Sequence, residues 1–259
     1  MRMWSPRSPA PEFSLSRRSL LSATLAAPAL LRSRAALAHE PVDVELVLAV
    51  DVSRSVDAVE QALQFAGYAA AFRDARLAEG ISGGPLGAIA VCLFTWSDWD
   101  IQNLLVPWTK VDGPATAADF AAAVDAAPRE TYLYTSISGA IDYAGRLFGQ
   151  RYEGTRQVVD ISGDGVNNSG RPLAESRAAA LDRGIILNGL AVLDRDPSPA
   201  AALAGLPPLD DYYRDEVIGG PGAFLMVAEG FEAFETAVRR KIIREIATGP
   251  GPVVERAYA

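Results

Sequence analysis

From residue 42 to residue 247 the apolar positions switch repeatedly between unbroken runs and runs spaced three or four apart. Residues 42–50 are mostly apolar, which predicts a strand buried on both faces of a parallel sheet. Residues 57–77 predict a helix, with Leu63, Ala66, Ala70 and Leu77 on one face. Strands are predicted at 88–95 and 104–108, then an alanine-rich helix at 115–126 stopped by Pro128. Ile137, Ile141, Ala144, Leu147 and Phe148 recur at helical spacing and predict a helix over 136–148. A strand at 157–161 follows, then a helix at 173–182 closed by Arg183-Gly184, and a strand at 185–193. Residues 194–222, rich in Pro, Asp and Gly, read as a long surface excursion. A short strand at 223–227 precedes a closing amphipathic helix marked by Phe231, Phe234, Val238, Ile242 and Ile246, and residues 249–259 read as a frayed, disordered tail.

Strands alternating with helices predict an α/β fold: three layers, a mostly parallel doubly wound sheet with helices on both faces. Nothing between 39 and 248 reads as a linker long enough to divide it, so these residues are expected to form one domain. In such sheets the working site lies at the carboxyl ends of the strands, near the switch in strand order. Asp51 closes the first strand and Asp164 follows the 157–161 strand, so both belong to that rim.

Residues 1–38 read as an export signal and not as part of the fold. Ser16-Arg17-Arg18-Ser19-Leu20-Leu21 is a twin-arginine pair running into an apolar stretch that ends at Leu31, and Ala36-Leu37-Ala38 offers small residues for cleavage. The apolar stretch is shorter than the roughly 20 residues a membrane span requires. A periplasmic or secreted protein is therefore expected, with no membrane span in the mature chain. The segment carries six of the 24 basic and one of the 32 acidic residues, which leaves 18 basic and 31 acidic, a net charge of about −13. Such a balance argues against nucleic acid or anionic lipid as a partner. The lone Cys92 sits in an apolar run and is expected to be a buried thiol, so no disulfide framework exists. With His39 the only histidine, zinc sites of the His/Cys type are excluded, as is a serine nucleophile activated by an internal histidine.

The candidate chemistry begins where the first strand ends, at Asp51-Val52-Ser53-Arg54-Ser55. A turn or a helix cap, the latter a plausible partial role for Ser55, explains one oxygen side chain but not three at alternate positions. A phosphoaspartate enzyme would use Asp51 as nucleophile, but the position two residues on, which should hold an acid, is Ser53. A hard cation is the remaining reading: Mg²⁺ takes six oxygens, and alternate residues of an extended loop aim the same way. Thr135, whose bland alternative is N-capping, and Asp164 in Ser162-Gly163-Asp164-Gly165 offer further oxygens from neighbouring loops.

Asp51-x-Ser53-x-Ser55, then Thr135, then Asp164, in this order on this α/β pattern, resembles the metal-ion-dependent adhesion site of von Willebrand factor A domains, over about residues 42–247. More narrowly, the stretches LAVDVSRSVD, TSISGAIDYA, DISGDGVNNSGRP and DDYYRDEVIGGPGAF resemble an exported bacterial A-domain family of unknown function. The resemblance implies Mg²⁺ or Mn²⁺ held by Asp51, Ser53, Ser55, Thr135 and Asp164, a protein partner donating an Asp or Glu carboxylate, and binding in place of catalysis. The alternatives are a metal-dependent phosphohydrolase using Asp51 and a structural A domain with a decayed metal site. Asp160 and Ser162 are expected to support the site hydroxyls from behind, and Arg54 and Asn167 to face the partner. Arg54 is a departure from the motif, either repelling the metal or, turned outward, drawing an acidic ligand. Tyr132-Leu133-Tyr134 stands where many A domains have glycines. Trp96, Trp99 and Trp108 are expected in core or rim packing, and 210–215 as a solvated loop.

Overall fold

The computed structural model describes residues 39–193, 205–246 and 253–258. The proposed export signal lies outside them. In chain order the elements are β1 Glu40–Asp51, α1 Ala58–Arg73, α2 Ala75–Ser82, β2 Ile89–Trp96, β3 Gln102–Val111, α3 Pro114–Ala126, α4 Ile137–Leu147, β4 Tyr152–Gly163, α5 Leu173–Asp182, β5 Ile186–Val192, α6 Leu209–Tyr212, β6 Leu225–Ala228, α7 Phe234–Ile246 and β7 Val254–Ala257. The strands form one sheet in the order β3-β2-β1-β4-β5-β6-β7. All neighbours are parallel except β3, which runs antiparallel on the edge, where Pro107 removes no interior ladder bond.

The two faces of the sheet follow from the alternation along β1. Leu46, Leu48 and Val50 join a core shared with Phe65 and Tyr68 of α1, Phe120 of α3 and Phe234 and Val238 of α7. Val47 and Ala49 join the opposite core, with Ile137 and Ile141 of α4 and Leu173 of α5. The three-layer, doubly wound architecture is thus present. The chain leaves β1 towards β2 on one side and returns to β4 on the other, so strand order reverses between β1 and β4. Their carboxyl ends open a crevice there.

Several local expectations are corrected. The helix expected over 57–77 breaks at Asp74, which caps α2 through the Arg76 amide. Leu63 is substantially exposed, while Gln61, Gln64, Phe65 and Tyr68 face inward. The periodicity misleads because two glutamines occupy the buried face, where Gln61 reaches Thr131 and Gln64 the Asp51 carbonyl. The cap of α1 is Asp57, not Ser55: its carboxylate accepts from the Val59 and Glu60 amides, and Glu60 accepts in return from the Asp57 amide. Residues 254–257 form β7, paired parallel to β6, where a frayed tail was expected, because the open edge of β6 has backbone groups to satisfy. Within the described part of the supposed surface excursion, residues 209–217 are helical: after α6, residues Tyr213–Val217 form a π-helical turn that buries Tyr213 and Val217 in the second core. Cys92 is a buried free thiol, Trp96 is fully buried, and Trp99 stands exposed on the rim.

Candidate metal-binding site

Three loops meet at the carboxyl ends of β1 and β4. The first is anchored where the Val52 amide continues the ladder onto the Trp96 carbonyl, after which a turn closes from the Val56 amide to the Ser53 carbonyl. Asp51, fully buried, accepts the Ser53 amide on Oδ1 at 2.7 Å. The Ser53 and Ser55 hydroxyls lie 3.1 Å apart, and Ser55 donates to Asp164 Oδ1 at 2.7 Å. The two carboxylates and both serines are therefore connected.

The second loop arrives ahead of α4 and is tied to the first by the Tyr132 amide, which donates to the Val52 carbonyl at 3.1 Å. Thr135 is clamped by Asn168: its amide donates to Asn168 Oδ1 at 2.9 Å, and the Asn168 amide donates to its carbonyl at 2.8 Å. Ser136 takes the capping role, accepting the Gly139 amide at 3.1 Å. That leaves the Thr135 hydroxyl uncommitted among the described residues, facing Gly165, where a Cβ would sit 3.5 Å from it. Asp51, Ser53, Ser55, Thr135 and Asp164 are thus brought to one rim.

The electrostatics there are unbalanced. Among the described residues Asp51 Oδ2 is buried without a hydrogen-bond partner. Burial pushes the Asp51 carboxyl well above the ordinary carboxylate range, and the nearby Asp164 charge pushes it the same way. Among the described residues no group of three or more His, Cys, Asp or Glu is placed to hold a metal ion by itself. The donor set is instead two carboxylates with neutral hydroxyls, oxygens that suit a hard divalent ion. A dication between these groups would neutralise both carboxylates and engage the orphaned oxygen, so the residues fit the group.

Other expected site residues fall elsewhere. Asp160 does not support a site hydroxyl. It is buried against Lys241, 2.7 Å away, because its position on β4 turns it to the α1–α7 side. Ser162 braces the strand ends: it accepts from the Tyr68 hydroxyl at 3.2 Å and donates to the Ala49 carbonyl at 3.3 Å. Asn167 braces the start of α4: its Oδ1 accepts the Ser138 amide and its own backbone amide donates to the Tyr212 hydroxyl. Arg54 is turned outward and lines an open depression of about 380 Å³ with Leu133, Tyr134 and Asn168. Sequence reasoning missed Tyr213, whose buried hydroxyl stands beside Asp51; its only signal was the aromatic pair in DDYYRDEV.

The sequence profile of the family described as protein of unknown function (DUF1194) matches residues 41–250. No curated protein matches. Among solved structures the chain is similar to proximal thread matrix protein 1 from the mussel byssus, at 15% identity and a TM-score of 0.57, over 80% of this chain and 47% of that one. A structure of that protein with its MIDAS motif occupied by zinc aligns at 14% identity and a TM-score of 0.51, over 79% of this chain and 46% of that one. The chain is also similar to a von Willebrand factor type A from Catenulispora acidiphila, at 13% identity and a TM-score of 0.54, over 80% and 43%. For the pilus adhesin SpaC from Lactobacillus rhamnosus GG the values are 14%, 0.54, 81% and 31%. The chain spans less than half of each of these proteins' lengths, and at such identities the likeness is one of fold: the von Willebrand A-type α/β sandwich.

Proposed function

The chain belongs to the DUF1194 family on a von Willebrand A-type fold, and from that premise we propose that it is an exported binding protein that engages a protein partner through a divalent cation. The cation, Mg²⁺ or Mn²⁺, is held by Asp51, Ser53, Ser55, Thr135 and Asp164. When bound, it supplies a Lewis-acidic position able to accept a carboxylate from an Asp or Glu of the partner. The chain's own residues do the rest. Asp51 and Asp164 supply the charge, Ser53, Ser55 and Thr135 supply neutral oxygens, and Asn168 fixes the Thr135 backbone. Two carboxylates leave the dication without net excess negative charge around it, so an incoming acid is not repelled.

The observation that carries the reading is the buried, unpartnered Oδ2 of Asp51, held beside a second carboxylate and uncommitted hydroxyl oxygen. A group of that kind costs stability unless something neutralises it. Further support comes from the zinc held in the MIDAS motif of the mussel byssus protein and from the adhesin among the similar structures. The all-oxygen donor set here favours Mg²⁺ or Mn²⁺ over zinc. The partner face is the depression beside the site, where the Arg54 guanidinium favours an acidic surface and the exposed Leu133 and Tyr134 favour an apolar neighbour. Export to the periplasm or beyond rests on the twin-arginine pattern of residues 1–38.

Calorimetric titration with Mg²⁺ and Mn²⁺ tests this directly: the native chain is expected to bind, and Asp51→Asn to bind neither. Absence of binding by a folded native chain favours the decayed-site alternative. Turnover of a generic phosphate ester with Mg²⁺, abolished by Asp51→Asn, would instead establish the phosphohydrolase reading. A pull-down from the exported fraction, lost on adding a chelator, would identify the partner.

A further inference from the structure

Tyr213 is fully buried, yet among the described residues its hydroxyl has no hydrogen-bond partner. Buried phenols ordinarily find one. The ring is held in a slot made by glycines on adjacent strands. On β5, a Cβ at Gly189 would lie 3.1 Å from Tyr213 Cδ1; on β4, a Cβ at Gly163 would lie 2.7 Å from the Tyr213 hydroxyl and 2.8 Å from Asp51 Oδ2. The two unpartnered oxygens therefore crowd one point. The backbone carrying the ring is a π-helical turn, Tyr213–Val217, a widened geometry frequent at functional positions. Its neighbour Tyr212 accepts the Asn167 amide at 3.2 Å, which pins the same segment to the loop that bears Asp164.

We propose that Tyr213 is a positioning residue of the cation site, its hydroxyl held in reserve to hydrogen-bond the Asp51 carboxylate, directly or through water, when the cation is bound. The inference rests on the cation reading above and assigns to it a residue outside the adhesion motif. A phenol suits the place for three reasons. It is neutral at ordinary pH, since a phenol ionises only at about 10. It adds no charge to a shell already balanced by two carboxylates. It can fix Asp51 Oδ2, as the hydrogen-bonded groups behind metal ligands generally do. The segment 209–217 is thereby joined to the site through two aromatic residues, Tyr213 beside Asp51 and Tyr212 against the loop that follows β4.

The test is calorimetric titration of the purified chain with Mg²⁺, native against Tyr213→Phe, with thermal unfolding of both in chelator and near-UV absorption of the native chain as Mg²⁺ is added. The expected result is Mg²⁺ binding weaker by about tenfold in the variant. Its unfolding midpoint in chelator should be no lower than native, because an unpartnered buried hydroxyl has no bond to lose. The native tyrosine absorption should change with Mg²⁺ and the variant's change should be smaller. Native affinity in Tyr213→Phe overturns the proposal, as does weakened affinity accompanied by a lower midpoint in chelator, which would make Tyr213 a packing residue. A native chain whose tyrosine spectrum ignores bound Mg²⁺ also overturns it. A folded native chain that takes neither Mg²⁺ nor Mn²⁺ overturns the cation reading itself, a different failure from native binding with an unaltered variant.

Discussion

Thr135 and Ser136 are adjacent hydroxyls with separate tasks. Ser136 accepts the Gly139 amide and donates to the Ser169 carbonyl, so Ser136→Ala should cost about 1 kcal/mol of stability by loss of the α4 cap, read in denaturant unfolding. The Thr135 hydroxyl has no such duty among the described residues, so Thr135→Val should leave the chelated protein's stability within about 0.5 kcal/mol while weakening Mg²⁺ binding in calorimetry. The reverse pattern would reassign the pair. The five motif residues were legible because their chemistry is unusual at that spacing and strand-end position. Asn167 and Asn168 were not: a one-residue difference in a turn decides which carboxamide caps α4 and which clamps Thr135. Tyr213 was illegible for another reason, since its role depends on two glycines on strands that only the fold places side by side.

The closing helix α7 is secured by a buried charge cluster. Lys241 stands 2.7 Å from Asp160 and 2.5 Å from Glu245, all three inaccessible or nearly so, with Asn188 donating to Glu245 at 3.0 Å. One ammonium serves two carboxylates, and Glu245 has the extra amide donor, so Asp160 is the group that takes up a proton. Burial, with a smaller push from Glu245, raises its pKa to about 7 against the pull of Lys241. The native state then binds a proton that the unfolded chain, with an ordinary carboxylate near 4, has released. Stability in chelator should fall as pH rises from about 4 to about 7, and Asp160→Asn should make that slope shallower in thermal or denaturant scans, the part due to Asp51 remaining. Lys241→Met removes the ammonium shared by the two buried acids and should cost about 3–5 kcal/mol. From the sequence, the strand and helix positions were legible where the apolar period was clean, as in α4 and α7. They failed where a buried face is polar, as at Gln61 and Gln64, and where pairing with a distant edge makes a strand, as in β7.

Across the whole molecule, the α/β class and its parallel core followed from alternating periods, while the antiparallel β3 and the order of strands are tertiary facts. The proposed cation is a ligand of the native state alone, so saturation at 100 times its dissociation constant should add about 2.7 kcal/mol to stability, measured as a shift in the denaturant midpoint between Mg²⁺ and chelator. That shift should vanish in Asp51→Asn.

The bond from Ser55 to Asp164 spans 109 residues of chain, and β1 reaches its β4 neighbour only across a comparable separation. No nascent or truncated stretch ending before that second carboxylate has anything to offer a dication beyond a loose local turn. Ions in the medium are therefore spectators to early collapse and should leave the refolding rate untouched, acting only as a brake on unravelling once the last loop has closed. For this protein, occupancy by a metal would serve as a certificate that assembly is finished.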